Sequence, residues 1–145
     1  MDEIEQIELE ILSRAHSLAV VGLSSSPARA GFYVPAYMQR AGYTIVPVNP
    51  QLVEALGSPA YPDLRAIPFT IDCVLIFRRP EYIPEIVDQA IDIGAKYIWM
   101  QQGIRHDQAA SRARAAGLGV LMDACIMVEH RRLAGRLDRN RPGKA

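Results

Sequence analysis

The sequence predicts an α/β protein built on a doubly wound parallel sheet. Apolar runs of strand length alternate along the chain with helical segments, and short links join them, as in sheets whose parallel strands are connected through helices. The 145 residues suffice for one domain with its own core. Half of them are hydrophobic and 22% are charged, which is the composition of an ordinary globular protein.

The individual elements follow from hydrophobic periodicity and from the glycines and prolines that end each segment. In chain order they are a helix over 3–15, a strand over 17–22, a helix over 32–41, a strand over 43–48, a loop over 51–70 with a short helical piece around 52–56, a strand over 72–77, a helix over 80–94, a strand over 96–100, a helix over 106–116, a strand over 119–122 and a helix over 125–137. Five strands of this kind form a Rossmann-like sheet with helices on both faces, and we predict the strand order 3-2-1-4-5.

Two prolines and the chain ends refine this prediction. Pro35 fits its helix only in the first turn, where the missing N–H costs little. Pro47 indicates that the second strand has an irregular or edge-like end. We expect residues 1–137 to form one domain, with the amphipathic helix of residues 1–16 packed on it, and residues 138–145 to form a flexible basic tail.

Charge and cysteine content exclude several classes of protein. The formal net charge is zero, so no overall field favours nucleic acid or a membrane surface. The two cysteines make no disulfide framework, which favours a reducing compartment. The N-terminus has the pattern of neither a signal nor a transit peptide, and no apolar run approaches the length of a membrane span. We therefore expect a cytoplasmic protein without nucleic-acid or membrane partners.

The candidate site is the turn that follows the first strand. This strand ends at Gly22, and Ser24, Ser25, Ser26 and Arg29 lead into the next helix. A helix N-terminus offers unpaired N–H groups and the positive end of the helix dipole, so it attracts phosphate. Serine hydroxyls and a guanidinium add donors for phosphate oxygens. The alternative is a plain strand–helix turn with the guanidinium in solvent.

Sequence features that are missing from this turn restrict the classes of ligand it can bind. Only Gly22 remains of the three glycines in the G-x-G-x-x-G fingerprint of dinucleotide sites, and no P-loop lysine follows. The second strand ends in Val48, Asn49 and Pro50, which offer no carboxylate for a ribose. Both departures disfavour NAD. In such a sheet the segments 22–27, 49–50, 78–80 and 101–103 converge at the carboxyl ends of the strands.

Several motifs in order give the chain a family resemblance. The runs V-V-G-L-S-x-x-P-x-R, V-P-V-N-P, F-R-R-P-E, W-M-Q-Q-G-I and M-D-A-C-I-M-V-E-H make it resemble the bacterial stand-alone CoA-binding proteins. Those proteins are similar to the CoA-binding domain of the succinyl-CoA synthetase α-subunit. The resemblance extends from about residue 18 to residue 133 and implies coenzyme A as the cofactor.

The resemblance also implies where CoA contacts the chain. It places the phosphates at the first turn, the adenosine beside the end of the second strand, and the pantetheine arm along the ends of the third and fourth strands. The residues implied are, for the phosphates, Gly22, Ser24, Ser26 and Arg29; for the adenosine, Val48, Asn49 and Pro50; and for the nucleotide and arm, Phe77, Arg78, Gln101 and Gly103. Ser25, within the same serine-rich turn, is a further candidate for binding the cofactor.

Three functions remain open from the sequence. The first is a module that binds CoA or an acyl-CoA and has no catalytic machinery of its own. The second is the CoA-binding component of an NDP-forming acyl-CoA synthetase, whose separate partner chain supplies the phosphohistidine that 145 residues of this kind lack. The third is an NAD(H)-binding redox sensor, which the missing glycines and carboxylate disfavour. The sequence identifies no protein partner.

Other residues with chemical potential are few. Cys125 begins the last predicted helix, near the edge of the sheet where the ligand is expected. It is therefore a candidate redox thiol that could form a mixed disulfide with CoA. The alternative is that Cys125 is a small buried hydrophobic residue. Cys73 lies inside a strand and is expected in the core. Asp123, Glu129 and His130 match no ligand spacing, so no metal site is predicted.

Overall fold

The predicted architecture is confirmed by a computed structural model, which describes residues 2–140. All neighbouring strands of its five-stranded sheet are parallel. The strands are β1 (Ser17–Val21), β2 (Thr44–Val48), β3 (Cys73–Ile76), β4 (Tyr97–Met100) and β5 (Gly119–Leu121). The helices are α1 (Glu3–Arg14), α2 (Ala30–Arg40), α3 (Ile83–Asp92), α4 (Asp107–Ala115) and α5 (Ile126–Asn140), and 3₁₀ turns lie at Leu64–Ala66 and Pro80–Tyr82.

The observed strand order is 2-1-3-4-5, which corrects the predicted order 3-2-1-4-5. β1 pairs with β2 on one side and with β3 on the other, so Val20 lies opposite both Pro47 and Leu75. Pro47 explains the difference, because a strand that contains proline lacks a ladder donor and belongs at an edge. The Pro47 carbonyl accepts from the Tyr61 N–H at 3.0 Å, so a loop and not a third strand covers this edge. The point where the chain reverses direction across the sheet therefore lies between β1 and β3.

Helix α2 begins at Ala30 rather than at residue 32, and this corrects the predicted position of Pro35. Pro35 lies beyond the first turn, inside the helix, where it cannot donate to the carbonyl of Gly31 four residues earlier. That carbonyl instead accepts from the backbone N–H of Ser24 at 3.0 Å. The hydrogen bond missing from the helix is thus replaced by one that ties the preceding turn to it.

One further prediction is corrected in the loop between β2 and β3, and the last helix is longer than predicted. The helical piece predicted around 52–56 is wrong, because Glu54–Ala55 and Ser58–Pro59 form a short antiparallel ladder. Leu56 and Gly57 between them have φ of 52° and 79°, the pattern of a type I′ turn, which a leucine in place of Asn or Asp concealed. Helix α5 continues to Asn140, so the predicted tail begins as helix; residues 141–145 of that tail lie outside the described residues.

Two apolar layers enclose the sheet and confirm that helices cover both faces. One layer joins a face of all five strands to α3 and α4, and the other joins the opposite face to α1, α2 and α5. The largest fully buried side chain is that of Trp99 on β4, whose Nε1 donates to the Ala124 carbonyl at 2.8 Å. With both faces covered, the carboxyl ends of the strands remain as the open edge at which a ligand can contact several strands.

Candidate functional site

The turn between β1 and α2 is built on a position that only glycine fits. Gly22 has φ of 89°, and a Cβ there would lie 2.7 Å from the carbonyl oxygen of Phe77 and 2.9 Å from Cδ of Arg78. Both the backbone conformation and the close approach of the segment after β3 therefore require glycine. The sequence predicted this glycine for phosphate binding, and its structural role is to bring the ends of β1 and β3 together.

Most of the amides in this turn already have partners within the chain. The Gly22 N–H donates to the Val48 carbonyl at 2.9 Å, and the Ser24 N–H donates to Gly31. The Ser26 N–H donates to Oγ of Ser24 at 3.0 Å, so the Ser24 hydroxyl braces the turn. These bonds shape the loop and engage the amides of Ser24 and Ser26, so those two serines have their hydroxyls left for phosphate.

The first turn of α2 supplies further donors. The N–H groups of Ala30 and Gly31 are the first two of the helix, and within the described chain they have no hydrogen-bond acceptor. Arg29 occupies the N-cap position with an exposed side chain that makes no capping bond. The side chain of Ser25 is exposed as well. An anion at this terminus would meet free N–H groups, the positive end of the helix dipole and one guanidinium.

The end of β2 lies beside this turn and is fastened to it. The side chain of Asn49 donates through Nδ2 to the Leu23 carbonyl at 2.9 Å, and its Oδ1 accepts from the Gln51 N–H at 2.8 Å. Pro50 is exposed, whereas the Val48 side chain is buried in the core. Of the three residues implied for adenosine binding, Asn49 and Pro50 therefore reach the surface and Val48 supports them from below.

The segment after β3 contributes a guanidinium on the other side of the turn. Arg78 is half-buried, and its guanidinium carbon lies 4.2 Å from the centroid of the Tyr82 ring. Such stacking holds the planar charge at the carboxyl edge of the sheet. Phe77, the preceding residue, is also half-buried and lines the cavity described below.

The segment after β4 is held to α5 by two residues that were predicted to line the ligand. The buried side chain of Gln101 accepts from the Ile126 N–H at 2.8 Å and so caps α5. The Gly103 N–H donates to Oδ1 of Asp123 at 2.7 Å. Both residues reach the carboxyl edge, but these bonds engage them in holding two loops together.

A cavity of about 280 Å³ opens among these segments, next to the start of α2. Its lining consists of Ala30, Tyr33, Val34, Phe77, Gln101, Gln102, Ile104 and Cys125. Sequence reasoning named three of these residues and missed the others, because it placed the converging segments but not the side chains that face inward. The motif containing Gln102 and Ile104 was noted, so a signal for two of them existed. A larger cavity of about 590 Å³ lies along β5 and α1, and no predicted site residue lines it.

The two thiols have different environments. Cys73 is fully buried, and this burial raises the pKa of its thiol far above the usual range, so it is inert. Cys125 is half-buried and faces the cavity. The redox role of Cys125 stays a prediction, while the core position of Cys73 is confirmed.

Two histidines of the described chain make local hydrogen bonds and belong to no cluster of metal ligands. Across residues 2–140 no three His, Cys, Asp or Glu side chains are grouped so that they could hold a metal ion. His130 instead shares a 2.8 Å hydrogen bond with the Tyr37 hydroxyl, and His106 caps α4 by accepting from the Ala109 N–H. No helix in this part of the chain is long and apolar enough to cross a membrane.

Comparison with known proteins shows what the chain is similar to. Residues 16–131 match the family described as CoA binding domain. The uncharacterized protein YneT of Bacillus subtilis (strain 168) is 43% identical over 121 residues, which cover 83% of this chain and 90% of that protein. The solved structure of a hypothetical protein from Pyrococcus horikoshii OT3 matches with a TM-score of 0.86 at 39% identity, over 90% of this chain and 92% of that chain. The ADP-forming acetate–CoA ligase II of Archaeoglobus fulgidus is 29% identical over 91 residues, which are 61% of this chain and 14% of the ligase.

Proposed function

The chain belongs to the family of CoA-binding domains, and from this premise we propose that it binds coenzyme A or an acyl-CoA at the carboxyl edge of its sheet. The observation that carries the proposal is the start of α2. There the unpaired N–H groups of Ala30 and Gly31 and the exposed Arg29 adjoin the mouth of the 280 Å³ cavity. An anionic headgroup and a long uncharged arm would each find a matching surface at this one place.

The phosphates occupy the start of α2 in this proposal. The diphosphate accepts from the two free N–H groups, and the hydroxyls of the serine turn and the Arg29 guanidinium supply further donors. The adenosine lies across the half-buried Asn49 and the exposed Pro50, between the ends of β2 and β1. The Arg78 guanidinium, held against Tyr82, faces the same edge and adds positive charge for the 3′-phosphate.

The pantetheine arm enters the cavity. Tyr33, Val34, Phe77 and Ile104 give it an apolar lining, and Gln102 offers an amide that can pair with the amides of the arm. The thiol end then lies towards Cys125, which also lines the cavity. Apart from the Cys125 thiol, the described residues that line this cavity include no His, Asp, Glu or Lys, so the activity that we propose is binding.

Calorimetric titration of the ligand-stripped protein tests the proposal. CoA is expected to bind in the micromolar range, dephospho-CoA more weakly and NAD not detectably, because the turn lacks the dinucleotide fingerprint. Arg29→Ala should weaken CoA binding by about 1.5–3 kcal/mol, as for the loss of a charged hydrogen bond. Arg40→Ala, which removes an exposed guanidinium at the other end of α2, is the matched control and should leave the affinity unchanged. Tight NAD binding without CoA binding would replace this proposal by the redox-sensor alternative.

A second candidate function follows from the similarity to the ADP-forming acetate–CoA ligase. The matched region is a small part of that ligase, so this chain would be a CoA-binding component that acts with a separate partner chain. The isolated protein should then form no ATP from acetyl-CoA, ADP and phosphate, and should do so when the partner chain is added. Absence of any partner in affinity capture with the CoA-loaded protein would favour the stand-alone module.

A further inference from the structure

The cavity beside α2 continues past Cys125 as a trough along the start of α5. A second cavity of about 420 Å³ shares Gln102 and Cys125 with the first and adds Asp123, Ala124, Val128 and Glu129. A third cavity of about 520 Å³ shares Asp123, Ala124 and Glu129 with the second and extends to α1. The three cavities are neighbours with common wall residues, and together they extend from the start of α2 to the contact between α1 and α5.

The far part of this trough carries an excess of carboxylates. Its second and third cavities are lined by five acidic side chains and two guanidiniums, namely Asp2, Glu5, Glu8, Asp123, Glu129, Arg105 and Arg132. Both guanidiniums already face carboxylates: Arg132 lies 2.8 Å from Glu129, and Arg105 lies 3.0 Å from Asp107. Burial raises the pKa of Glu8 to about 7, and Arg136 also pairs with Glu5. Even with Glu8 neutral, the other four lining acids and Asp107 outnumber Arg105, Arg132 and Arg136. The trough beyond Cys125 is therefore negatively charged at neutral pH.

The volume of the first cavity determines which part of a bound acyl-CoA reaches this negative region. A cavity of about 280 Å³ is at the lower end of the size of small-molecule sites, so a pantetheine arm fills it. An acyl group on the thiol must then continue past Cys125 into the second cavity. Two carboxylates line that cavity, those of Glu129 and of Asp123, an exposed side chain on the loop that leads into α5.

We propose that the acyl group of a bound acyl-CoA lies in this trough, and that Asp123 and Glu129 make the site select neutral acyl groups and reject those that end in a carboxylate. The inference rests on the proposed function, since it takes CoA to occupy the first cavity. Selection here works by repulsion: a terminal carboxylate would lie among like charges whose nearby cations are already paired.

The test compares ligands that differ only in the end of the acyl group. Calorimetric titrations use CoA, acetyl-CoA, succinyl-CoA and succinamyl-CoA, in which an amide replaces the distal carboxylate of the succinyl group. Acetyl-CoA should bind as CoA does, and succinyl-CoA should bind about tenfold more weakly than succinamyl-CoA, the effect of one like charge at a partly exposed site.

Two variants locate the discrimination. Asp123→Asn keeps the left-handed backbone, at φ of 60°, which asparagine also adopts, and keeps an oxygen that accepts from Gly103. Together with Glu129→Gln it should bring the succinyl and succinamyl affinities within about twofold of each other. Glu85→Gln, on the exposed side of α3 across the sheet, is the matched control and should leave the tenfold ratio unchanged.

The outcomes separate this inference from the function on which it rests. Failure of CoA itself to bind would overturn the proposed function and the inference with it. Equal binding of succinyl-CoA and succinamyl-CoA by a protein that binds CoA would overturn only the inference. A preference that persists unchanged in the Asp123→Asn, Glu129→Gln double variant would overturn it too.

Discussion

The carboxyl group of Glu8 is buried where α1 packs on α5, and replacing it with glutamine tests the ionic network at that contact. Its Oε1 lies 3.3 Å from Arg132, which also contacts Glu129 and Glu5. Burial first, then a hydrogen bond to Glu129 and the charge of that residue, raise the pKa of Glu8 from 4.5 to about 7. In Glu8→Gln the amide takes the place of the protonated acid, accepting from Arg132 and donating to Glu129.

The sign and size of the effect follow from proton linkage. Because the folded state holds the Glu8 proton more tightly than the unfolded state, this group's contribution to stability is complete below pH 4.5 and is lost as the pH rises through 7. The full shift of the Glu8 pKa corresponds to about 3 kcal/mol of unfolding free energy. Because Arg132 is nearly half exposed beside an open cavity, solvent screens the charges there, and we expect an effect of about 1–2 kcal/mol. Glu8→Gln should therefore match the parent protein near pH 5 and exceed it by that amount at pH 8.5.

Urea denaturation at the two pH values measures this difference. Trp99 is the single tryptophan and is fully buried, so its fluorescence reports unfolding of the core. The Arg136 guanidinium lowers the pKa of the neighbouring Glu5, which therefore stays ionised throughout this pH range. Glu3→Gln removes an exposed carboxylate from the same helix and should show no pH-dependent gain. The reasoning is refuted if Glu8→Gln gains no stability between pH 5 and pH 8.5, or if it is the less stable protein at pH 8.5.

Two other changes test the turn and the thiol. Gly22→Ala should destabilise the protein by about 3 kcal/mol and abolish CoA binding, because its Cβ would collide with the Phe77 carbonyl. Gly103→Ala, at a positive φ but in open space, should cost only about 1 kcal/mol of stability. Equal urea midpoints for the two variants would contradict this reasoning. Diamide treatment with CoA should add one CoA mass to the protein through Cys125, as seen by intact-mass analysis, and Cys125→Ser should remove the adduct. An adduct that survives in Cys125→Ser would assign it to Cys73 and refute the role of Cys125.

The sheet shows how far local patterns determine topology. Each strand could be predicted, because apolar runs and the glycines after them are local signals. The order of the strands depends on which edges pair, and here the relevant signal was the proline of β2. Because Pro47 lacks the N–H that a neighbouring strand would need, no further strand pairs on the outer side of β2. β3 therefore pairs with the other side of β1. The hairpin at 54–59 was missed for a different reason, because its turn has leucine where asparagine or aspartate is usual.

The candidate site shows a sharper limit on sequence reasoning. The role of Gly22 in the turn could be predicted from the strand–turn–helix pattern around it. The hydrogen-bond partner of each amide in the turn could not be predicted in this way. Pro35 is four residues beyond Gly31 and so frees its carbonyl, and that carbonyl then accepts from Ser24. The same hydrogen bond that shapes the turn thus removes one predicted donor from any phosphate. If phosphate binds here, it depends on the unpaired amides of Ala30 and Gly31, whose side chains give no sequence signal, and a helix begun two residues later would not present them.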